Sequence, residues 1–214
     1  MSAPLSVVVV DIGLGNLRSV QKALDAAAEL GGKSVRVVRS SDPDAVRRAD
    51  HVVMPGQGGF GEFARGLRGG LDEALVERIR AGTSYLGICL GLQLLLERSE
   101  EDPDVAGLGV IPGSVVHLRA APGLKIPHMG WNQLELVNGG DPYLEAAGGA
   151  GTFVYFVHSY HAEPSDPSVL RAIAEYGPNR VTAAIARDNV FATQFHPEKS
   201  QAAGLRLLAA FLRR

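Results

Sequence analysis

Apolar positions follow one rhythm in the first half of this chain and another in the second. Residues 5–10 are an unbroken, mostly β-branched run, the pattern of a strand covered on both faces. A turn at 13–16 follows. Residues 17–30 then carry Leu17, Val20, Ala23, Leu24, Ala27 and Ala28 at helical spacing and end at Gly31 and Gly32, a helix with its stop signal. Further strands are expected at 35–39, at 51–54 (halted by Pro55 and Gly56) and at 85–88, with helices at 71–80 and 90–97. Strand and helix in alternation predict an α/β fold with a doubly wound, flavodoxin-like, mostly parallel central sheet.

Beyond residue 110 the runs shorten. Strands are expected at 115–119, 133–137, 153–157, 169–176, 183–187 and 190–194, an added antiparallel region, and a helix at 201–212 ends the chain. No internal repeat and no Pro/Ser-rich linker interrupts residues 1–214, so a single domain is expected. The strands ending near Met54 and Ile88 both run into glycine-rich turns. In open α/β sheets the ligand crevice lies beyond the carboxyl ends of the strands, so both turns point to one site.

Composition narrows the class. With 214 residues, 46% of them hydrophobic, the chain can bury a sizeable core. Its 21 basic and 23 acidic side chains nearly cancel, which excludes the electrostatic footprint of a nucleic-acid or anionic-membrane binder. No apolar run approaches bilayer length. Residues 1–6 carry no basic stretch ahead of the apolar run, so no secretory leader is expected. One cysteine cannot close an internal disulfide, and a cytoplasmic location is expected.

That cysteine, Cys89, stands between Gly87 and Gly91 at the junction of a strand and a helix. Glycine, any residue, nucleophile, any residue, glycine is the pattern of a strand-to-helix elbow, where a sharp turn tolerates no neighbouring Cβ and the side chain meets the positive end of the helix dipole. A buried, inert thiol fits the same pentapeptide. A base is available in "FATQFHPEKS" (191–200), where Pro197 stiffens the backbone between His196 and Glu198. Nucleophile, imidazole and a carboxylate to fix the tautomer would make a catalytic triad, although a solvated surface turn would read the same way. Gly56, Gly58, Gly59 and Gly61 follow a strand and can offer backbone N–H groups to an oxyanion. No Gly-Lys-Ser/Thr follows them, and Arg18 occupies the third glycine position of the N-terminal "GLGNLR" (13–18), so nucleotide binding is rejected at both places. A metal site is not expected, since no second cysteine or paired histidines have ligand spacing, and no cofactor is expected.

Elbow, Pro-Gly-x-Gly loop and C-terminal His-Pro-Glu, in this order, resemble the class I (triad-type) glutamine amidotransferase family along essentially the whole chain. Within it, "KIPHMGWN" (125–132), "VYFVHSYH" (154–161) and "TQFHPEKS" (193–200) resemble the glutaminase subunits of imidazole glycerol phosphate synthases of histidine biosynthesis. The resemblance implies hydrolysis of glutamine, with Cys89 as nucleophile, His196 as base and Glu198 orienting it. It implies an oxyanion site from backbone N–H groups of Leu90 and of the stretch through Gln57 and Gly58. It implies a glutamine pocket of Gly58, Gln93, Glu101, Ser159 and Tyr160. Ammonia would pass to a partner cyclase subunit, a (β/α)8 barrel, met by Trp131, Asn132, Tyr155 and Lys199, though a lone Trp also fits plain core packing.

Two positions depart from the family pattern: Gln57 stands where valine is usual, and Ile12 where an aromatic is common. Two other readings fit the motifs: a class I amidotransferase serving a different synthase, and an α/β redox-sensing or binding protein with a reactive elbow thiol. A distant carboxylate beside the histidine favours the enzyme, because a redox sensor has no use for it.

Overall fold

The computed structural model describes residues 3–214; Met1 and Ser2, part of the stretch inspected for a leader, lie outside the described residues. The first half alternates β1 (Leu5–Val10), α1 (Leu17–Gly31), β2 (Val35–Ser40), α2 (Pro43–Arg47), β3 (His51–Gly56), α3 (Phe60–Leu67), α4 (Leu71–Arg80), β4 (Ser84–Cys89) and α5 (Leu90–Gln93). The second half holds β5 (Arg98–Ser99), β6 (Gly113–His117), β7 (His128–Gln133), β8 (Glu135–Leu136), α6 (Pro142–Ala147), β9 (Phe153–His158), β10 (Tyr160–Pro164), β11 (Leu170–Tyr176), β12 (Asn179–Arg187), β13 (Val190–Thr193) and α7 (Gln201–Phe211).

An eight-stranded sheet runs β2-β1-β3-β4-β13-β12-β11-β8. Its neighbours are parallel from β2 through β13 and antiparallel from β13 to β8, the mostly parallel α/β architecture that the alternation predicts. Valines of β1 explain why the sheet is sandwiched. Val7 and Val9 enter a core with α1 and α7, whereas Val8 and Val10 enter the opposite core with α3 and α4. Each buried face of this kind contributes roughly 25 cal/mol per Å² of apolar surface withdrawn from water. α1 buries the six residues expected from its spacing, and Gly32, at φ 61°, closes it in the left-handed region.

The apolar run after Cys89 is not one helix over 90–97. α5 ends at Gln93, beyond which Leu95 and Leu96 donate three residues back, to the carbonyls of Leu92 and Gln93 at 3.1 and 3.0 Å, and the 107–111 loop takes the carbonyls that follow. Leu108, Ile111 and Gly109 donate their N–H groups to the carbonyls of Leu94, Leu95 and Leu96 at 2.7, 2.8 and 3.2 Å. The glycine-rich stretch after β3 becomes α3, since Phe60, Phe63, Ala64 and Leu67 fall on one helical face and are buried. The strand expected over 133–137 divides into the end of β7 and the two-residue β8. β7 pairs antiparallel with β9 as a separate ribbon, and β10, β6 and β5 form a small third sheet.

Candidate active site

β3, β4 and β13 end side by side, with Gly56 opposite Cys89 and Ile88 opposite Thr193. Three chain segments distant in sequence therefore meet at one rim. Cys89, the last residue of β4, adopts φ 56°, ψ −107°, a conformation that costs a side-chain-bearing residue about 1–3 kcal/mol. The flanking glycines make the turn possible: a Cβ on Gly87 would overlap the Gly91 carbonyl, and one on Gly91 would overlap the Met54 carbonyl. Tyr85 Oη donates to the Gly91 carbonyl at 2.8 Å and ties the elbow down.

His196 follows β13 and lines the same cavity as Cys89. Its Nδ1 lies 2.7 Å from Glu198 Oε1, and both side chains are almost wholly buried. Nε2 carries no hydrogen bond, so the ring has one nitrogen anchored and the other available. Burial pulls the imidazole toward its neutral form, but the Cys89 sulfur and the Glu198 carboxylate outweigh it and raise its pKa to about 9. The His196 backbone is fixed as well. Its N–H donates to the Tyr155 carbonyl at 2.9 Å, and Ser200 Oγ donates to its carbonyl at 2.7 Å while accepting from the Tyr155 N–H at 3.0 Å.

The cavity, about 430 Å³, is lined by Gln57, Gly58 and Leu90 and by Gln93, Glu101, Ser159 and Tyr160, beside Cys89 and His196. Every residue expected in the glutamine pocket is thus brought to it. Leu90 opens a helix, so its N–H has no intrahelical partner. Glu101 Oε2 accepts from the Phe60 N–H at 2.8 Å, at the start of α3. Gln93 gives both Nε2 hydrogens away, to the Tyr160 carbonyl at 2.9 Å and to Gln194 Oε1 at 3.0 Å. Its own oxygen is left for whatever enters the cavity.

Sequence reasoning overlooked Gln194 and His158. Gln194 is fully buried and donates from Nε2 to Cys89 Sγ at 3.4 Å. His158 lines the cavity and donates from Nδ1 to the Tyr160 carbonyl at 2.9 Å. A polar residue continuing the buried run at the end of β13 is the available signal for the first. Nothing in the local pattern marks the second, which depends on how β9 meets β7.

The residues expected to meet a partner divide between the two faces of the β7–β9 ribbon. Met129, Trp131 and Phe153 are 66%, 46% and 54% exposed, and Trp131 packs edge-on against Tyr155 across the strands at 6.0 Å. Lys199 Nζ lies 5.8 Å from the centre of the Tyr155 ring, and the residue also lines the cavity. Asn132 points the other way: its Nδ2 donates to the Glu175 carbonyl at 2.9 Å and to His128 Nε2 at 3.3 Å. Successive residues of a strand face opposite sides, so its side chain lies on the face away from Trp131.

Among the described residues no helix is long and apolar enough to cross a membrane, and no cluster of three or more His, Cys, Asp or Glu could hold a metal ion. Comparison with known proteins agrees with the geometry. Residues 8–214 match the family described as "Glutamine amidotransferase class-I". The "Imidazole glycerol phosphate synthase subunit HisH" of Rhodospirillum rubrum is 50% identical, covering 98% of this chain and 99% of that protein. A protein of the same description from Methylococcus capsulatus is 48% identical over 97% of this chain and 96% of its own length. In backbone shape the chain is similar to a solved structure described as "Structure of PurLQS from Thermotoga maritima", with a TM-score of 0.71 at 20% identity over 99% of both chains. At that identity the likeness speaks for the fold alone. With the family matched along nearly the whole chain, and a cavity lined by a thiol and by an imidazole that is backed by a carboxylate, the chain belongs to the class I glutamine amidotransferases.

Proposed function

We propose that this chain is the glutaminase subunit of an imidazole glycerol phosphate synthase, a single cytoplasmic domain that hydrolyses glutamine and delivers ammonia to a (β/α)8 cyclase subunit in histidine biosynthesis. The observation that carries the reading is the convergence of Cys89 and His196 on one cavity, with Glu198 held 2.7 Å behind the imidazole, in a chain half identical, end to end, to proteins of that description.

The chemistry follows from the geometry. The Cys89 thiolate attacks the side-chain carbonyl carbon of glutamine, and the carbonyl electron pair moves to oxygen. The N–H groups of Leu90 and of the Gln57–Gly58 stretch receive that oxyanion, each donor contributing on the order of 10² to 10³ in rate. Collapse of the intermediate breaks the C–N bond, and protonated His196 gives its proton to the departing nitrogen, leaving ammonia and a γ-glutamyl thioester. Neutral His196 then takes a proton from water, the hydroxide attacks the thioester, and glutamate leaves as the sulfur regains its electron pair. Gly58, Gln93, Glu101, Ser159 and Tyr160 hold the amino-acid end of the substrate. Glu101, with one oxygen tied to the start of α3, has the other for the substrate ammonium group. The exposed apolar side of the β7–β9 ribbon, with Trp131, Tyr155 and the neighbouring Lys199, receives the cyclase.

The test is glutamine hydrolysis by the purified chain, alone and with a cyclase subunit and its nucleotide ligand. A weak activity that rises strongly in the complex, with Cys89 labelled by a glutamine-mimicking electrophile, is the expected result. Rescue of an auxotroph other than a histidine auxotroph, or full activity without the partner, overturns the assignment.

A further inference from the structure

Gln194 takes no part in the reaction as written above, yet its side chain ends on the reacting sulfur. The residue is fully buried just past β13 and places Nε2 3.4 Å from Cys89 Sγ. Oxygen and nitrogen of a side-chain amide can exchange places, so the direction of this contact has to be fixed by its neighbours. Here it is. Gln93 spends both Nε2 hydrogens on the Tyr160 carbonyl and on Gln194 Oε1. An incoming N–H obliges Gln194 to present its oxygen to Gln93 and therefore its NH₂ to the sulfur.

The Tyr160 carbonyl, which can only accept, fixes a second set of contacts in the same way. The Tyr160 carbonyl also accepts from His158 Nδ1, which leaves His158 Nε2 as an acceptor for His128 Nδ1 at 2.9 Å. His128 Nε2 in turn accepts from Asn132, whose other Nδ2 hydrogen goes to the Glu175 carbonyl. His128 itself is clamped between the rings of Phe156 and Tyr176, at centroid distances of 4.7 and 4.0 Å. Donor meets acceptor at each link from β7 to the elbow, with no group left to turn around.

We propose that Gln194 is a further functional residue of this site: a hydrogen-bond donor that holds the Cys89 thiolate, oriented by Gln93. With Gln194 on the sulfur and the Val157 carbonyl 4.0 Å away, the nucleophile is located by contacts other than its imidazole. Gln93 then serves twice, as an orienting residue through Nε2 and as a substrate contact through its oxygen. The consequence for turnover rests on the glutaminase reading; the effect on the thiol does not.

The experiment measures the rate at which iodoacetamide alkylates Cys89 in the full-length chain as a function of pH, alongside glutamine hydrolysis in the complex and thermal melting. Gln194→Leu keeps the bulk and removes the donor. Alkylation near neutral pH is expected to slow about tenfold or more, the worth of a hydrogen bond to a charged group, and its pH profile to move to the alkaline side. Gln194→Glu keeps the shape but sets a carboxylate against the sulfur, and slows alkylation further. Gln93→Leu frees the amide to turn and gives an intermediate profile with a raised KM for glutamine; it supplies the same readout should both Gln194 variants fail to fold. A folded Gln194→Leu chain, or failing that Gln93→Leu, with the wild-type alkylation profile overturns the proposal. If Cys89→Ala still hydrolyses glutamine while Gln194→Leu shifts the profile, the glutaminase reading falls and the thiol contact stands.

Discussion

His196 Nδ1 and Glu198 Oε1 are 2.7 Å apart with both side chains withdrawn from solvent. This pair faces the sulfur at the β4–α5 elbow, and the second carboxylate oxygen has no partner of its own. In the proposed reaction a carboxylate so placed acts through the imidazole, by anchoring Nδ1 and by favouring the protonated ring.

Glu198→Gln preserves the shape and removes the charge. Glutamine hydrolysis in the complex is expected to fall by about 10²-fold or more, in line with the contribution of a positioned base. The His196 titration followed by NMR is expected to move down from about 9. An unchanged rate removes Glu198 from the triad.

Cys89 carries backbone strain that glycine would not. Cys89→Ala and Cys89→Gly are both expected to abolish hydrolysis. Of the two, the glycine variant is expected to be the more stable, by about 1 kcal/mol, because only glycine enters φ 56° without cost. Glycine is ordinarily the weaker residue beside a strand or helix, so a reversed order in chemical denaturation is diagnostic of the elbow. The alanine variant melting higher than the glycine variant contradicts the strain.

Stability should fall on both sides of neutrality. Burial lowers the pKa of His51 and His161 and brings His128 to about 4 and His158 to about 3. Each is protonated in the unfolded chain below about 6.5 but stays neutral in the fold. Unfolding then takes up protons, and stability is lost as the pH falls from about 6.5 toward 4, by up to about 1.4 kcal/mol per pH unit for each group. His196 has the opposite sign: its raised pKa stabilises the fold below about 6.5, and that contribution is lost as the pH rises through about 9. Denaturant midpoints measured across this range test both limbs. His51, whose ring stands edge-on to Phe211 with neither nitrogen in a hydrogen bond, allows a single-site check. His51→Phe is expected to flatten the acid limb and leave the alkaline limb unchanged.

Trp131→Ala and Met129→Asp change exposed side chains on the outer side of the ribbon. Each is expected to weaken binding of the cyclase subunit, Trp131→Ala by about 30-fold if it anchors the contact. The melting temperature of the isolated chain should hardly move. Calorimetric titration of the two subunits reads this directly, and wild-type affinity in both variants removes the ribbon from the interface.

What the sequence made legible was the part governed by local pattern. The run 5–10 and the spacing in 17–30 lead to β1 and α1 nearly residue for residue. Cys89, His196 and Glu198 stand out because a glycine-flanked thiol and a His-Pro-Glu turn are unusual in themselves. What the local pattern does not carry has a common cause in long-range hydrogen bonding. Leu94, Leu95 and Leu96 continue a helical pattern, but their carbonyls belong to the 107–111 loop. Asn132 sits next to Trp131 in the chain but on the opposite side of β7, where Glu175 and His128 claim its amide. Gln194 becomes meaningful only when β13 is laid beside β4.

Side chains of the β7–β9 ribbon alternate between a dry inner row, with His128, Phe156 and His158, and an outer row, with Met129, Trp131 and Phe153. Neighbouring positions in one short peptide thereby answer to separate demands. A substitution in the outer row alters only the exposed surface, while the inner row, one residue away, stays packed against the body of the protein. A sheet two strands wide is enough to keep those two demands apart.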